Sequence, residues 1–200
     1  MANMYNINKV INRLQRKQHV RIKFVGDSLT FGWANDLVNS DTQKAKTYRD
    51  DGSYYEQNQF HSNLPRNVLW KLMDYYDYDD IECYNYGISG YTTKEIYDNL
   101  KRDSEEDLVF IMCGTNDFNN DVELSESYTN LSYLAKTFID RGVGVITLLP
   151  PHKKEKKDDS GIIKYTNVQW ACKEVRNTPI VDLKIASEDF EESDYFDWTH

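Results

Sequence analysis

The sequence predicts an α/β protein: a doubly wound, five-stranded parallel sheet with helices on both faces. Three observations carry this. Short apolar or alternating runs at 21–25, 81–86, 108–113, 143–149 and 180–183 alternate with longer runs of helical period, the order that builds strand–helix–strand units. The run 108–113 is apolar throughout, as in a strand buried on both faces. The first three runs each lead into a polar, glycine-bearing turn, and such sheets place their sites beyond the carboxyl ends of strands.

In order, Tyr5, Ile7, Val10, Ile11 and Leu14 recur at helical spacing, with Arg16 and Lys17 at the end where cations favour the helix dipole. Residues 21–25 alternate charged and apolar and read as the first strand. Gly26-Asp27-Ser28 breaks it, and Leu29 and Phe31 could open a helix before Gly32. Residues 34–63 are polar and lack a clear period, so a long loop is expected there. It leaves the sheet just after Ser28, which makes it a substrate-facing loop with aromatic contacts from Tyr48, Tyr54, Tyr55 and Phe60.

Residues 64–76 read as a helix, with Pro65 tolerated in the first turn and Val68, Leu69, Leu72 and Met73 inward. After the strand at 81–86, Thr92 with Glu95 three residues on forms a capping-box signature, opening a helix to about residue 102. Residues 103–107 form a polar connector and 119–122 a loop. Residues 124–141 place Leu131, Leu134, Ala135, Phe138 and Ile139 on a helix stopped at Gly142. Pro150-Pro151 ends the fourth strand. A charged loop at 152–161, a helix at 162–176, the fifth strand and an acidic turn or short helix at 187–193 complete the chain.

The formal net charge of -9 argues against nucleic acid and anionic membrane surfaces as partners, since both reward a basic face. No run reaches the roughly 20 apolar residues that span a bilayer. No apolar secretory leader is visible, so a cytoplasmic location is the default, or secretion if a leader has been trimmed. Cys83, Cys113 and Cys172 are few, odd in number and widely spaced, which suits small core residues. No paired-cysteine or HExxH spacing occurs, so neither a metal nor another cofactor is expected.

Four blocks carry chemistry: Gly26-Asp27-Ser28-Leu29, residues 85–90 ending in Gly90, Gly114-Thr115-Asn116-Asp117, and Asp197-Trp198-Thr199-His200. Alone, each has a plainer reading: a turn with a capping residue, a turn glycine, a loop cap, a helix cap. Together and in this order they resemble the GDSL, or SGNH, hydrolase family, over residues 20–200. The resemblance implies strand order 2-1-3-4-5 in a flavodoxin-like three-layer sandwich. It implies a serine esterase with Ser28 as nucleophile and Asp197 and His200 completing the triad. The Ser28 and Gly90 amides and the Asn116 side chain are implied as oxyanion donors.

The residue types agree with that assignment. A serine hydroxyl needs a base within hydrogen-bond reach, and the base needs an orienting acceptor. Asp197 and His200, three apart, can share one face of a turn. His61 is the rival base, whereas His19 has no visible catalytic partner and His152 reads as surface. Asp27 and Asp117 read as backbone caps. Trp198 is a further candidate contact for substrate.

The expected substrate is a small acyl ester, with O-acetyl groups on carbohydrate favoured by the family range and the Tyr-bearing segment. A lipase or lysophospholipase would need an exposed apolar groove. A non-catalytic carbohydrate-binding module is the alternative from another class. In the family a segment follows the final histidine, so residues 1–200 are expected to be a single domain lacking it. Weak or labile activity is expected, because termini fray and a terminal carboxylate favours protonated imidazole.

Overall fold

A computed structural model describes residues 1–33, 42–49, 51–100, 105–150 and 177–183. Five strands form the main sheet: β1 (Val20–Gly26), β4 (Ile81–Gly87), β5 (Leu108–Met112), β6 (Gly144–Leu149) and β7 (Ile180–Asp182). Every pairing is parallel and the order is β4-β1-β5-β6-β7, which in chain order is the expected 2-1-3-4-5. A separate antiparallel hairpin, β2 (Thr42–Tyr48) and β3 (Tyr54–Phe60), lies beside it.

Two apolar clusters cover the two faces. Ile22 and Phe24 of β1 pack with Ile7, Val10 and Leu14 of α1 (Ala2–Gln15) and with Val68, Leu69, Leu72 and Met73 of α3 (Leu64–Tyr76). Val25, Val109, Ile111 and Val145 pack with Ile96 of α4 (Thr93–Asn99) and with Leu131, Leu134, Ala135 and Phe138 of α6 (Leu124–Ile139). Each fully buried side chain among these contributes roughly 1.5–3 kcal/mol relative to exposure.

The local helix signals hold. Thr92 accepts from the Glu95 amide and Glu95 reaches back to the Thr92 amide at 2.8 Å, closing the capping box. Asn63 caps α3 through the Arg66 amide, with Pro65 in the first turn.

Three expectations are corrected. On α1, Tyr5 is 73% and Ile11 38% exposed, while Asn3 and Asn6 are buried in their place. Asn3 Nδ2 donates to the Val145 carbonyl at 2.9 Å, and the Val145 amide donates back to Asn3 Oδ1 at 2.8 Å. Asn6 Nδ2 donates to the Val143 carbonyl. These amides continue the hydrogen-bond ladder of β6 below Thr147, where pairing with β7 begins. On β1, the alternation of charged and apolar residues does not carry through to burial: Lys23 is 1% exposed. Its Nζ lies 3.2 Å from Glu106 Oε2 and 4.6 Å from the centre of the Tyr86 ring. A buried cation is tolerable only with such a partner.

The third correction is the hairpin, where a loop was expected. β2 and β3 run from Thr42↔Phe60 to Tyr48↔Tyr54. Two polar strands alone are marginal in water, and docking stabilises them. Thr47 Oγ1 donates to the Gly87 carbonyl at 3.0 Å, Gln59 Nε2 to Phe31 at 2.6 Å, and the Phe60 amide to Gly32 at 2.8 Å. The helices and loops expected at 152–176 and 187–193 lie outside the described residues.

Candidate active site

The site is built where three strands end level. Register pairs Gly26 with Gly87 on one side and with Met112 on the other. A Cβ on Gly26 would sit 1.9 Å from the Met112 carbonyl oxygen, and one on Gly87 would sit 2.2 Å from the Phe31 amide nitrogen. Both positions therefore require glycine, and its absence of side chain lets α2 (Ser28–Phe31) press onto the sheet end.

Ser28 opens α2 and is 6% exposed. Asp27 caps the helix, its carboxylate accepting from the Leu29 amide at 3.1 Å. Gly32 ends it in the left-handed region with φ 76°. Thr30 Oγ1 donates to the Met112 carbonyl at 3.0 Å and fastens the short helix to β5.

Gly90 follows β4. The Ile88 amide donates to the Gly26 carbonyl at 2.9 Å, so the turn is tied to β1 beside Asp27. Gly90 has φ +81°, and among the described residues nothing lies within 4 Å of a Cβ placed there. Backbone conformation, rather than crowding by the protein, calls for glycine.

Asn116 sits in α5 (Thr115–Asn119), a short helix where the sequence suggested a turn. Its Nδ2 donates to the Tyr91 carbonyl at 3.0 Å, which holds the amide against the Gly90 turn. A carboxamide has two N–H groups; one is committed to Tyr91, and the other is the one a substrate anion could use. Ser28, Gly90 and Asn116 are thus carried on three neighbouring turns cross-tied by hydrogen bonds. Asp197, Trp198 and His200 lie outside the described residues.

The two buried acids support this end of the sheet. Asp117 is 1% exposed and accepts from the Thr93 amide at 2.8 Å, the Thr93 hydroxyl at 2.5 Å and the Ser127 hydroxyl at 2.7 Å. It joins α4, α5 and α6. Burial pushes the Asp27 carboxyl up to about 6, against the opposing pull of the Leu29 amide and Thr115. Asp117 adds a smaller push in the same upward direction. Among the described residues, Asp27 Oδ2 closes no hydrogen bond of ordinary geometry.

A family model for GDSL-like lipases and acylhydrolases matches residues 24–200. The chain belongs to the GDSL-like lipase/acylhydrolase family. It is a carboxylic ester hydrolase of that type. By sequence, no curated protein matches.

Solved structures share the fold of this GDSL-type chain. A lipase/acylhydrolase from Enterococcus faecalis is 18% identical, with TM-score 0.62, covering 90% of this chain and 87% of that one. A catalytic mutant of an acetylxylan esterase from Geobacillus stearothermophilus is 19% identical, with TM-score 0.63, covering 92% and 88%. A further acetyl xylan esterase, AlAXEase, is 16% identical, with TM-score 0.59, covering 84% and 79%.

The aromatic residues proposed from sequence divide. Tyr55 packs edge-on against Phe31 at 5.8 Å between ring centroids, and its hydroxyl bonds to Ser89; burial raises its pKa. Phe60 holds the hairpin base on Gly32 through its amide. Tyr48 and Tyr54 stand out at the other end, 58% and 49% exposed and in contact with each other. His61 is exposed and rests on Trp70, 6.2 Å away between ring centroids, on the outer surface of this GDSL-type chain. His19 pairs with Asp80 at the opposite end of the sheet.

Cys83 is half-buried, donates to the Pro65 carbonyl and has its thiol pushed up to about 12 by burial; Cys113 is buried. Cys83 therefore lacks the depressed pKa of a nucleophile. Cys172 lies outside the described residues. Among the described residues no cluster of His, Cys, Asp or Glu gathers as a metal site, and no helix is long and apolar enough to cross a membrane. Reasoning from sequence missed Arg49 and Tyr91, which flank the Gly90 turn; no local pattern marks either residue.

Proposed function

We propose that this hydrolase removes small acyl groups from esters, O-acetyl groups on carbohydrate first among them. The observation that carries the reading is the convergence of the Ser28, Gly90 and Asn116 turns at one sheet end, with Asn116 fixed through Tyr91.

In the proposed mechanism His200, oriented by Asp197, takes the Ser28 proton as Oγ attacks the acyl carbon. The carbonyl oxygen becomes an oxyanion held by the Ser28 and Gly90 amides and Asn116 Nδ2. His200 then protonates the departing alcohol, leaving an acyl-serine. Water, deprotonated by the same imidazole, releases the acid and restores the hydroxyl.

The acetyl preference is supported by the acetylxylan esterases among the proteins of the same fold. Tyr55, on the hairpin face that packs on Phe31 and Ser89, suits a sugar-facing wall beside the Gly90 turn. A panel of p-nitrophenyl esters of increasing acyl length, run beside acetylated xylo-oligosaccharides, tests it. Acetate is expected to be the best acyl group, with turnover abolished in Ser28→Ala. Retained turnover in that variant, or a preference for long acyl chains, would overturn it.

A further inference from the structure

Arg49 lies at the mouth of the hairpin turn and is held by neutral groups. Its Nε donates to the Tyr91 hydroxyl at 2.7 Å and its Nη1 to Ser53 Oγ at 3.0 Å. The guanidinium carbon sits 5.7 Å from the centre of the Tyr91 ring. Arg13, Arg21 and Arg141 each meet a carboxylate, on Asp107, on Glu82 and Glu105, and on Glu106. Among the described residues no carboxylate lies within ion-pairing distance of Arg49. Asp51 is held chiefly by the Ser53 hydroxyl and amide and feels Arg49 only as a weaker field. In a chain of net charge -9, a partly buried guanidinium with no counterion among the described residues is conspicuous.

Its position gives that feature a use. Tyr91 directly follows Gly90, and its carbonyl holds the Asn116 amide. Tyr55, whose titration the Arg49 charge also lowers, bridges Phe31 and Ser89. Arg49 is therefore anchored to the turn proposed to hold the oxyanion, on the wall formed by the hairpin. Its Nη2 has no hydrogen bond among the described residues. A carboxylate matches the free edge of an anchored guanidinium better than any neutral group.

We infer that Arg49 is a specificity residue that receives a carboxylate on the alcohol part of the ester, so that acylated acidic sugars are preferred over neutral ones. This rests on the hydrolase site proposed at Ser28, Gly90 and Asn116.

Two measurements on the full chain test it. The first compares kcat/KM for 4-acetoxybenzoate with that for 4-acetoxybenzamide, which share acyl group and ring and differ by one charge. The wild type is expected to favour the acid by about 10-fold, the scale of one charge-assisted hydrogen bond. Arg49→Gln is expected to erase the preference through KM, Arg49→Lys to restore part of it, and added salt to weaken it. Lys46→Gln, an exposed change on the same hairpin, is expected to leave the ratio alone. A ratio near one in the wild type, or equal losses on both substrates in Arg49→Gln, would overturn the inference.

The second measurement is calorimetric binding of trigalacturonate and of its fully methyl-esterified form, with no turnover required. Selective binding of the charged trimer, lost in Arg49→Gln, supports the inference even in a chain that hydrolyses nothing, where only the hydrolase reading would fall. Hydrolysis with no charge preference in either measurement removes Arg49 and leaves the hydrolase reading standing. A chain that neither hydrolyses the esters nor binds either trimer removes both.

Discussion

The two ends of the central sheet handle charge in opposite ways. Toward the amino end opposite charges pair: Arg21 with Glu82 and Glu105 and His19 with Asp80 on the surface, Arg13 with Asp107 half-buried, and Lys23 with Glu106 buried. At the carboxyl end, Asp27 and Asp117 are buried, and among the described residues neither is paired with a cation. Hydroxyls and backbone amides hold them instead. Exposed pairs are largely compensated by water and contribute little. Buried acids held by neutral donors fix the geometry of three turns, and for Asp27 the cost of burying the charge becomes sensitive to pH.

The contrast breaks most severely at Gly26. Ala there drives a Cβ into the Met112 carbonyl and the Thr30 hydroxyl, and the sheet end cannot yield without displacing α2. A loss of about 3 kcal/mol or more is expected in chemical denaturation. Wild-type stability in this variant would show that the sheet end is looser than its register implies.

Next in size is Asn116→Ala. On the proposed mechanism it lowers kcat by on the order of 10²–10³ with little change in KM, read from steady-state kinetics on p-nitrophenyl acetate. A change confined to KM would place Asn116 in ground-state binding.

Asp27→Asn sharpens the comparison through pH. Folding raises the Asp27 carboxyl from 3.8 to about 6, so the native state favours its neutral form. The penalty is absent below pH 4, grows between about 4 and 6, and is complete above; its full size is roughly 3 kcal/mol. Asn keeps an acceptor for the Leu29 amide and carries no charge. The variant should therefore gain melting temperature over wild type at pH 8 and lose that advantage near pH 4, in scanning calorimetry across pH. An advantage independent of pH would mean the carboxyl is not neutralised by burial.

The smallest effect is expected at the other end. Glu82 has its pKa lowered first by the Tyr84 hydroxyl and then by Arg21, so its contribution is present at neutral pH and fades as pH falls. The side chain is exposed, and Glu82→Gln should leave thermal stability at pH 7 within measurement scatter.

What the sequence reveals about this molecule depends on how local the cause is. The Thr92–Glu95 cap and Pro65 are written within a few residues, and both read correctly. The parallel sheet reads correctly because each strand carries its own apolar run. Ser28, Gly90 and Asn116 could be assigned to one sheet end because each follows a strand; Gly26 and Gly87 then bring α2 against the sheet. The hairpin could not be read, since its polar strands are stabilised by bonds to Gly87, Phe31 and Gly32 rather than by a period of their own. The burial of Lys23 could not be read either, because its partner, Glu106, lies far along the chain. Arg49 was invisible for the same reason: only the fold sets it beside Tyr91.

The amides that Asn3 and Asn6 lend to β6 have one more consequence. Left bare, that stretch of backbone would be a template for strand addition by another molecule, a common start of aggregation. The first helix turn works as a stopper. Removing those few residues would leave the Val143 and Val145 backbone groups open to strand addition.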